Sequence, residues 1–367
     1  MTGLLYSDVE NELRASLRGM LAQRSPWRHV LSWSESGQAM DASLWRTLAG
    51  EMGLAGMAIP EEYGGGGASL REAAVVLEEL GRAVAPVPFL GSAVVATSAL
   101  LACRDGELLT KLATGEAVGA LAVPLGAGAL GAGAPAPVTV RAENGKLHGT
   151  VGLVADALVA DVLLVPADDG LYAVDARAFG VRIERVVSLD PTRPLADLTF
   201  DSVPGRLIVA GDAAASAVGA ARTAGAALLA SEQLGVAEWC LESTVEYLKT
   251  RHQFGRPVGS FQALKHRLAD VWVDVTQARA VARYAASCAA TGDDDLPVAA
   301  NLAQAFCSPV AVKAAEECVQ LHGGIGFTWE HPAHLYLKRA KSSSLAFGTA
   351  DRHRSALATL VDLPPAS

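Results

Sequence analysis

The sequence predicts an α+β protein in which the strands form one separate block between two helical regions. Residues 1–116 show the hydrophobic periodicity of amphipathic helices. Residues 117–206 consist of short β-rich runs separated by Gly, Pro and Asp, and residues 207–367 are again helical and rich in alanine. Segregated strands argue for α+β and against a doubly wound parallel sheet. We therefore expect an N-terminal helical domain, a middle β domain and a C-terminal helical domain with these boundaries.

The N-terminal region contains three predicted helices and a glycine-rich loop. Ser7 is a candidate N-cap, and Glu10 stands three residues later, which is the spacing of a capping box. A second helix over "DASLWRTLAGEMG" ends at Gly53, and a third has apolar residues at helical spacing in "SLREAAVVLEELGRA". The four glycines at 64–67 lie between these two helices and predict a loop, because such a run sustains neither helix nor strand.

The middle region contains one clear turn and one misleading motif. Asn144-Gly145 in "RAENGKLHG" is the strongest short-range signal for a β-hairpin. The stretch "GAGALG" at 126–131 matches the G-x-G-x-x-G pattern of dinucleotide-binding folds. That pattern must open a helix, whereas here Pro135 and Pro137 follow and then a β-rich run. We interpret the stretch as a flexible surface loop.

Composition and charge exclude several classes of protein. A formal net charge of −9 argues against nucleic acid as the main partner. The N-terminus lacks a basic region followed by an apolar one, so we predict no signal peptide. The alanine-rich run after Asp212 contains Arg222 and Glu232, so we predict no membrane span. Five cysteines without CxxC or CxxH spacing predict reduced core cysteines, no metal site and a soluble, cytoplasmic protein.

Cations concentrate at a bend between two predicted C-terminal helices, in "RHQFGRPVGSFQALKHR" at 251–267. The dipole of the first helix favours cations at its end, which accounts for part of the cluster. Phe254 and Phe261 flank the bend with apolar surface, and Gln262 adds a side-chain donor. The planar fork of Arg251 can donate two hydrogen bonds to a phosphate. Local chemistry leaves two interpretations open, a phosphate-bearing ligand or a solvated helix corner.

A second unusual stretch, "QLHGGIGFTWEHPAHLYLKRAK" at 320–341, has three glycines in four positions. They are Gly323, Gly324 and Gly326, after a helix and before aromatic residues. Glycines in this place can simply cap the helix. Preceded by Gln320, they also allow a planar or phosphorylated ligand to approach the backbone closely. Both interpretations stay open.

Together these segments resemble the acyl-CoA dehydrogenase family over nearly the whole chain. The matching pieces are "GLAGMAIPEEYGG" (53–65), "LEELGRA" (77–83), "RHQFGRPVGSFQALKHRLAD" (251–270) and "QLHGGIGF" (320–327). The resemblance implies an N-terminal helical domain, a middle β domain and a C-terminal four-helix bundle. It also implies FAD as the cofactor, α,β-dehydrogenation of an acyl-CoA thioester, and tetramers built from dimers.

The resemblance further implies which residues contact the cofactor. In the family the R-x-x-F-G segment of one subunit contacts the FAD diphosphate and adenine of its neighbour. The Q-x-x-G-G-x-G segment contacts the same dinucleotide across the dimer interface. Carried over by motif, FAD contacts fall to Arg251, Phe254, Gln262, Gln320 and Gly324, with Gly348 and Thr349 added from the later Gly-Thr pair.

The catalytic base that the resemblance implies is not found. The reaction needs a base for the α-proton, hydrogen bonds to the thioester carbonyl, and a flavin that accepts the β-hydride. The family's base is a glutamate, most often just before the Gly-Thr pair, where this chain has Phe347. The other family position, on an earlier helix, falls near Gly225. The nearest carboxylates are Glu232 and Asp351, and we expect a surface or capping role for each. The catalytic residue is therefore unknown.

The expected lining of the flavin ring also differs from the family. A "TEPGAGSD"-like loop and a "WIT"-like strand correspond to "VPLGAGAL" and "GLVADA", with Leu153-Val154-Ala155 in place of the Trp-containing triplet. Hydroxyl donors and an aromatic wall are both missing. Arg222 is the nearest candidate for the arginine that many members direct toward CoA. The alanine-rich helix from 218 to 239 and the small residues Ser342 to Ser344 would permit a wide acyl pocket, although small residues at helix contacts more often serve packing.

The segments directed at a neighbour's FAD are thus intact, whereas the chain's own base and flavin wall have changed. We expect a component of an acyl-CoA dehydrogenase that pairs with a Glu-bearing homologous subunit in an α2β2 complex. Its expected substrate is an acyl-CoA, with steroid side chains or other bulky acyl groups as candidates, and its acceptor an electron-transfer flavoprotein. Two alternatives stay open: a self-sufficient homo-oligomeric dehydrogenase with an unrecognised base, and a non-catalytic acyl-CoA-binding or scaffold protein.

Overall fold

The computed structural model describes residues 4–127 and 138–363, which form helices, then two sheets, then helices. The α+β architecture is therefore as predicted. Of the stretch at 126–131, residues 128–131 lie outside the described residues, so its interpretation as a loop stays a prediction. The first helical region contains α1 (Asp8–Arg24), α2 (Trp27–Glu35), α3 (Ala42–Arg46), α4 (Leu70–Ala83), α5 (Thr97–Cys103) and α6 (Gly106–Ala113).

Helix starts in this region follow the capping signals in the sequence. The backbone N–H of Ser7 donates to the Glu10 carboxylate at 2.6 Å, and the Glu10 N–H donates to the Ser7 hydroxyl at 3.3 Å. This confirms the predicted capping box of α1. Helix α4 begins with a second box, built by Ser69 and Glu72. The region predicted to end at Gly53 is α3 followed by a π-helical turn, Thr47–Glu51, and Gly53 has a φ of 67°.

Eight strands form two four-stranded sheets. They are β1 (Gly119–Leu121), β2 (Val140–Glu143), β3 (Lys146–Ala155), β4 (Val162–Pro166), β5 (Gly170–Asp175), β6 (Val181–Val186), β7 (Leu195–Pro204) and β8 (Arg206–Ala210). The strand orders are β1-β4-β5-β8 and β2-β3-β7-β6, antiparallel except for the β1–β4 pair. The predicted hairpin is present, since Glu143 pairs with Lys146 and both turn residues have positive φ, as a type I′ turn requires.

The second helical region is organised around one long helix. It contains α7 (Asp212–Thr250), α8 (Gln262–Thr291), α9 (Leu296–His322), α10 (Ala333–Ser343) and α11 (Ala350–Leu360). Helix α7 packs against α4, α8 and α9, and most of its residues are buried. The bend between α7 and α8 holds a short hairpin of β9 (His252–Gln253) and β10 (Arg256–Pro257). The exact domain boundaries at 116/117 and 206/207 stay predictions.

Helix α7 is also the one described helix that is long and apolar enough to cross a membrane, judged by length and composition alone. Within its most apolar window, 67% of the residues are buried inside the fold, as in the core helix of a helical bundle. The charged residues Arg222 and Glu232, which interrupt the apolar run, are buried there as well. All five cysteines are free, and four of them are buried as predicted, whereas Cys103 is half-buried.

Candidate functional site

The residues assigned to a neighbour's FAD gather at one end of the helical bundle, on its surface. Arg251 follows the last residue of α7, Phe254 lies in the hairpin, and Gln262 is the first residue of α8. Gln320 lies in the last turn of α9, and Gly324 lies just after that helix. All five are exposed. We call them the bundle-end set.

A stacked ring pair holds the two halves of the bundle-end set together. The Tyr247 ring, near the end of α7, stacks on the His322 ring at the end of α9, with centroids 4.4 Å apart. The ends of these two helices are therefore neighbours. The Arg267 guanidinium also pairs with the Glu317 carboxylate at 2.7 Å, joining α8 to α9 beside them. The two motifs that are 70 residues apart in sequence thus meet on one surface.

The backbone around Arg251 is fixed while its side chain is free for a ligand. The Arg251 N–H donates to the Tyr247 carbonyl at 2.9 Å, and its carbonyl accepts from the Val258 N–H at 2.7 Å. Within residues 4–127 and 138–363, the Arg251 guanidinium makes no ion pair. Beside it, the Arg256 guanidinium lies 3.9 Å from the centroid of the Phe261 ring, and Phe254 is 89% exposed with a φ of 54°. The set offers positive charge and apolar surface to a molecule outside the chain.

The two positions at which the family places its glutamate meet in the interior of the chain. Phe347 is buried, and its N–H donates to the Leu125 carbonyl at 2.7 Å. A Cβ atom placed on Gly225 of α7 would lie 2.6 Å from Cζ of the Phe347 ring. Glycine is required at 225 because the ring occupies the space of any side chain there. Neither position can supply a base, and each excludes a larger residue at the other.

The cavity beside Phe347 is too small for an acyl chain. It measures about 40 Å³. That volume accommodates one or two water molecules. Its polar walls are Asp156, Arg193 and Arg222. The wide acyl pocket that the small residues would permit is not present here, and Ser342 and Ser344 line a different cleft.

Glu232 is not a surface or capping residue, so that expectation was wrong. Its side chain is 2% exposed and pairs with the Arg193 guanidinium and, at 3.2 Å, with the Arg339 guanidinium. Burial alone would raise the pKa of Glu232, but the two arginines outweigh it and hold the pKa below the usual value. Arg339 also pairs with the Asp190 carboxylate at 2.7 Å, so both carboxylates already have guanidinium partners. Glu232 is therefore unsuited to be a general base.

This buried network joins the middle region to the C-terminal helices. Asp190 and Arg193 lie between β6 and β7, whereas Glu232 belongs to α7 and Arg339 to α10. Asp351 behaves as predicted: it is exposed in the first turn of α11 and pairs with Arg354 at 2.6 Å. The network thus stabilises the contact between two parts of the fold, while Asp351 remains at the surface.

Sequence reasoning missed Asp156, the one carboxylate among the described residues of the cavity wall. Burial raises the pKa of Asp156 to about 6, although the charges of Arg193 and Arg339 oppose that effect. Its backbone has a φ of 60°, a conformation that Asp and Asn tolerate better than other residues. An Asp directly after a β-rich run was the only signal in the sequence, and nothing local distinguishes it from a turn residue.

A larger cleft of about 530 Å³ lies between the middle region and α10–α11. The Leu125 N–H donates to the Leu153 carbonyl at 2.9 Å, and the Leu125 carbonyl accepts from Phe347. Leu125 lines both this cleft and the small cavity. Thr349 lines the cleft as the N-cap of α11, and Gly348 beside it is buried with a φ of 111°. Of the triplet Leu153-Val154-Ala155, Leu153 lines the cleft, where the family has an aromatic side chain beside the flavin.

The predicted FAD contacts consequently fall into two groups that are far apart in one chain. From Gly225, which touches Phe347, to Thr250 before Arg251, α7 runs without a break. At 1.5 Å per residue this is roughly 38 Å. One dinucleotide bound to one chain does not bridge that distance together with Gly348 and Thr349. The bundle-end set fits the diphosphate of a dinucleotide held mainly elsewhere, whereas the interior does not fit a flavin ring placed next to an acyl chain.

Family models and relatives agree with this architecture. The model for the acyl-CoA dehydrogenase N-terminal domain matches residues 7–116, and the model for the C-terminal domain matches residues 216–361. Acyl-CoA dehydrogenase IpdE2 of Mycobacterium tuberculosis is 39% identical over 333 residues, which cover 90% of this chain and 91% of that protein.

Two solved structures are similar over nearly their whole length. A chain of the ChsE4-ChsE5 complex from Mycobacterium tuberculosis matches with a TM-score of 0.86 and 28% identity, covering 100% of both chains. A chain of the Tcur3481-Tcur3483 steroid ACAD matches with a TM-score of 0.84 and 32% identity, covering 97% of this chain and 98% of that one. With its fold, its motifs and these similarities, the chain belongs to the acyl-CoA dehydrogenase family of oxidoreductases.

Proposed function

We propose that this chain is the base-lacking subunit of a heteromeric, FAD-dependent acyl-CoA dehydrogenase. The observation that carries the proposal is the contact between Phe347 and Gly225, which fills both positions of the family's glutamate. A homologous partner subunit then supplies the glutamate and the acyl pocket. This chain contributes the bundle-end set to the partner's cofactor in an α2β2 complex.

Within this proposal each member of the bundle-end set has a binding role. When bound, FAD supplies the acceptor for the β-hydride. The Arg251 fork donates to the diphosphate, and the Gln262 and Gln320 amides add neutral donors. Gly324 carries no side chain, which allows the backbone to approach the dinucleotide. Phe254 offers its exposed ring as apolar packing surface.

Exposed aromatic residues around the bundle-end set support a protein partner on this face. Besides Phe254, the rings of Phe327 and Trp329 are mostly exposed directly after the glycine turn. Large exposed apolar side chains gathered near one site are typical of interfaces. The similar ChsE4-ChsE5 structure is a complex of two different proteins, which supports a heteromeric partner for this chain too.

For the substrate we propose a bulky acyl-CoA, with a steroid side chain as the first candidate. The support is the structural similarity of this chain to the Tcur3481-Tcur3483 steroid ACAD. Since the cavity beside Phe347 holds about 40 Å³, the acyl group binds in the partner. An electron-transfer flavoprotein is the proposed acceptor and the cytoplasm the proposed location, both by analogy with the family.

The visible spectrum of the purified chain tests the proposal, alone and co-expressed with its nearest Glu-bearing homologue. We expect flavin absorbance in the mixed complex, bleached on addition of an acyl-CoA, and none in the chain alone. Flavin bound by the chain alone and bleached by acyl-CoA would instead support a self-sufficient enzyme. A colourless mixed complex would support the non-catalytic scaffold.

Arg251→Ala tests the bundle-end set within that complex. Loss of a charge-assisted hydrogen bond to phosphate is expected to weaken FAD retention about ten-fold or more. Lys249→Ala is the matched control, because Lys249 is an exposed cation two residues earlier that pairs only with Glu246 among the described residues. Equal flavin content in the two variants would contradict the assignment.

A further inference from the structure

A cavity of about 300 Å³ lies where the end of α1 and the start of α2 meet α4, α7 and α10. Its volume is at the lower end of the range of sites for small molecules. Trp239 of its wall lies 14 residues after Gly225 and 11 residues before Thr250 on the unbroken α7. At 1.5 Å per residue these separations are roughly 21 Å and 17 Å. The cavity is therefore distinct from the interior around Phe347 and from the bundle-end set.

Three aromatic side chains form part of the cavity wall. The Trp239 ring of α7 stacks on the Tyr336 ring of α10, with centroids 3.6 Å apart and planes within 3° of each other. The Tyr336 hydroxyl donates to the Arg82 carbonyl at 2.7 Å, which fixes the pair in place. Trp27, the first residue of α2, adds a half-buried ring. Aromatic surface that is already in place before a ligand arrives favours a planar ring compound.

Two hydrogen-bonding groups of the cavity wall lack a partner in the part of the chain that the structure describes. Ser25, directly after α1, is 3% exposed, and its hydroxyl makes no hydrogen bond. In the Arg82 guanidinium, Nη2 donates to the Glu242 carboxylate, whereas Nη1 is buried and has no acceptor. A buried polar group without a partner costs the free energy of its desolvation. A ligand oxygen that accepts from these two donors would remove that cost.

The charges around the cavity are already balanced. The Arg18 guanidinium donates to both oxygens of the Glu79 carboxylate, at 2.9 Å and 2.6 Å, and Arg14 adds a third hydrogen bond to that carboxylate at 3.0 Å. Arg82 has Glu242 as its partner. An anionic ligand would therefore find no cation to neutralise it among the described wall residues, and it would lie beside the buried Glu79. Burying an unpaired charge is costly, so the favoured ligand is uncharged.

We propose that this cavity binds a neutral, planar ring compound that carries a carbonyl oxygen. Its ring packs against Trp27 and Trp239, and its oxygen accepts from the Ser25 hydroxyl and from Nη1 of Arg82. Such a ligand contacts neither the bundle-end set nor Phe347, so it is bound and not dehydrogenated. Because helices of both helical regions line the cavity, a bound ligand stabilises the contact between them.

Calorimetric titration of the full-length chain tests this site without flavin, partner or activity. The three probes share one bicyclic ring: indole-3-carboxamide carries a neutral carbonyl, 3-methylindole has no acceptor in its place, and indole-3-carboxylate carries a negative charge there. Saturable one-to-one binding of the carboxamide is the expected result. We expect 3-methylindole to bind about five-fold more weakly, because both donors stay unpartnered, and the carboxylate about ten-fold more weakly.

Substitutions in the wall connect binding to this cavity. Ser25→Ala is expected to weaken carboxamide binding about five-fold and to leave 3-methylindole binding unchanged. Since the Ser25 hydroxyl makes no hydrogen bond to any described residue, this variant should fold as wild type does. Ala22→Trp, at an exposed wall position, should abolish binding of all three probes by filling the cavity. Ala15→Trp is the matched control, because Ala15 is exposed on the same helix and does not line the cavity.

The proposal is overturned if indole-3-carboxamide does not bind saturably, or if indole-3-carboxylate binds more tightly than the carboxamide. Equal carboxamide binding by Ala22→Trp and Ala15→Trp would place the ligand elsewhere. Unchanged carboxamide affinity in Ser25→Ala would contradict the assigned hydrogen bonds. None of these outcomes bears on the role of the bundle-end set, because flavin content of the mixed complex is measured separately.

Discussion

The bundle-end set and the interior around Phe347 use the same residue types in opposite ways. At the bundle end, Arg251 is exposed and unpaired within residues 4–127 and 138–363. In the interior, Arg193 and Arg339 are almost completely buried and both pair with Glu232. An exposed arginine remains available to a ligand, whereas a buried and paired one stabilises the fold.

The largest effect should come from breaking the interior network with Glu232→Gln. Two buried guanidinium groups would lose a shared partner, and the free energy of unfolding is expected to fall by roughly 3–5 kcal/mol. Guanidinium chloride unfolding measures the change. Glu246→Gln, which removes an exposed partner of Lys249, should cost less than about 0.5 kcal/mol. If both variants lost a similar free energy of unfolding, the buried ion pairs would contribute no more to stability than the exposed one.

The interior should also give stability a pH dependence through Asp156. Its pKa is raised from 3.8 to about 6 in the folded chain, so between these values the folded state binds more protons than the unfolded state. This contribution is complete below pH 3.8 and is lost as the pH rises through 6. Wild type should therefore lose roughly 2 kcal/mol more than Asp156→Asn between pH 4 and pH 6.5. If the free energy of unfolding changed equally with pH in wild type and Asp156→Asn, the raised pKa of Asp156 would be contradicted.

A double-mutant cycle can measure how strongly Gly225 and Phe347 depend on each other for stability. Gly225→Ala places Cβ 2.6 Å from the ring and is expected to cost about 1–3 kcal/mol, because an overpacked core must shift. In the Phe347→Ala background the cost should be smaller, although Cγ2 of Val95 would still lie 2.9 Å from the added Cβ. A coupling free energy of roughly 1–2 kcal/mol is expected from unfolding measurements. If the free-energy costs of the two substitutions simply added, Gly225 and Phe347 would not compete for the same space.

The smallest effect is expected at the bundle end, and its sign should differ between two measurements. Phe254 has a φ of 54°, where a side chain is strained, and its ring is 89% exposed. Phe254→Gly should leave the stability of the chain unchanged or raise it by up to about 1 kcal/mol. Flavin retention by the mixed complex should nevertheless fall. A clear loss of stability would indicate that the ring serves the fold of this chain.

Local signals in the sequence predicted most of the fold. The capping residues Ser7 and Glu10, the Asn144-Gly145 turn and the order of helices and strands depend on neighbouring residues alone, and the structure contains each of them. The two cofactor motifs could also be found in the sequence, although their meeting at the ends of α7 and α9 depends on tertiary packing. Their contact with FAD stays a prediction.

The interior could not be predicted because it depends on residues that are distant in sequence. Glu232 was misjudged, since its helix is alanine-rich on all sides and periodicity does not show that Arg193 and Arg339 reach it. Asp156 gave no local signal of burial. The absence of a base at Phe347 was readable from the sequence, but its packing against Gly225 was not.

The unbroken length of helix α7 limits insertions and deletions in this chain. One unbroken helix places Gly225 against Phe347 and presents Arg251 at its far end. Each residue of an α-helix turns the chain by about 100° and advances it by 1.5 Å. A single inserted or deleted residue between these points would therefore swing the bundle-end set round to another side of the bundle. Substitutions along α7 are tolerated wherever packing allows, but the number of residues between its two ends is fixed.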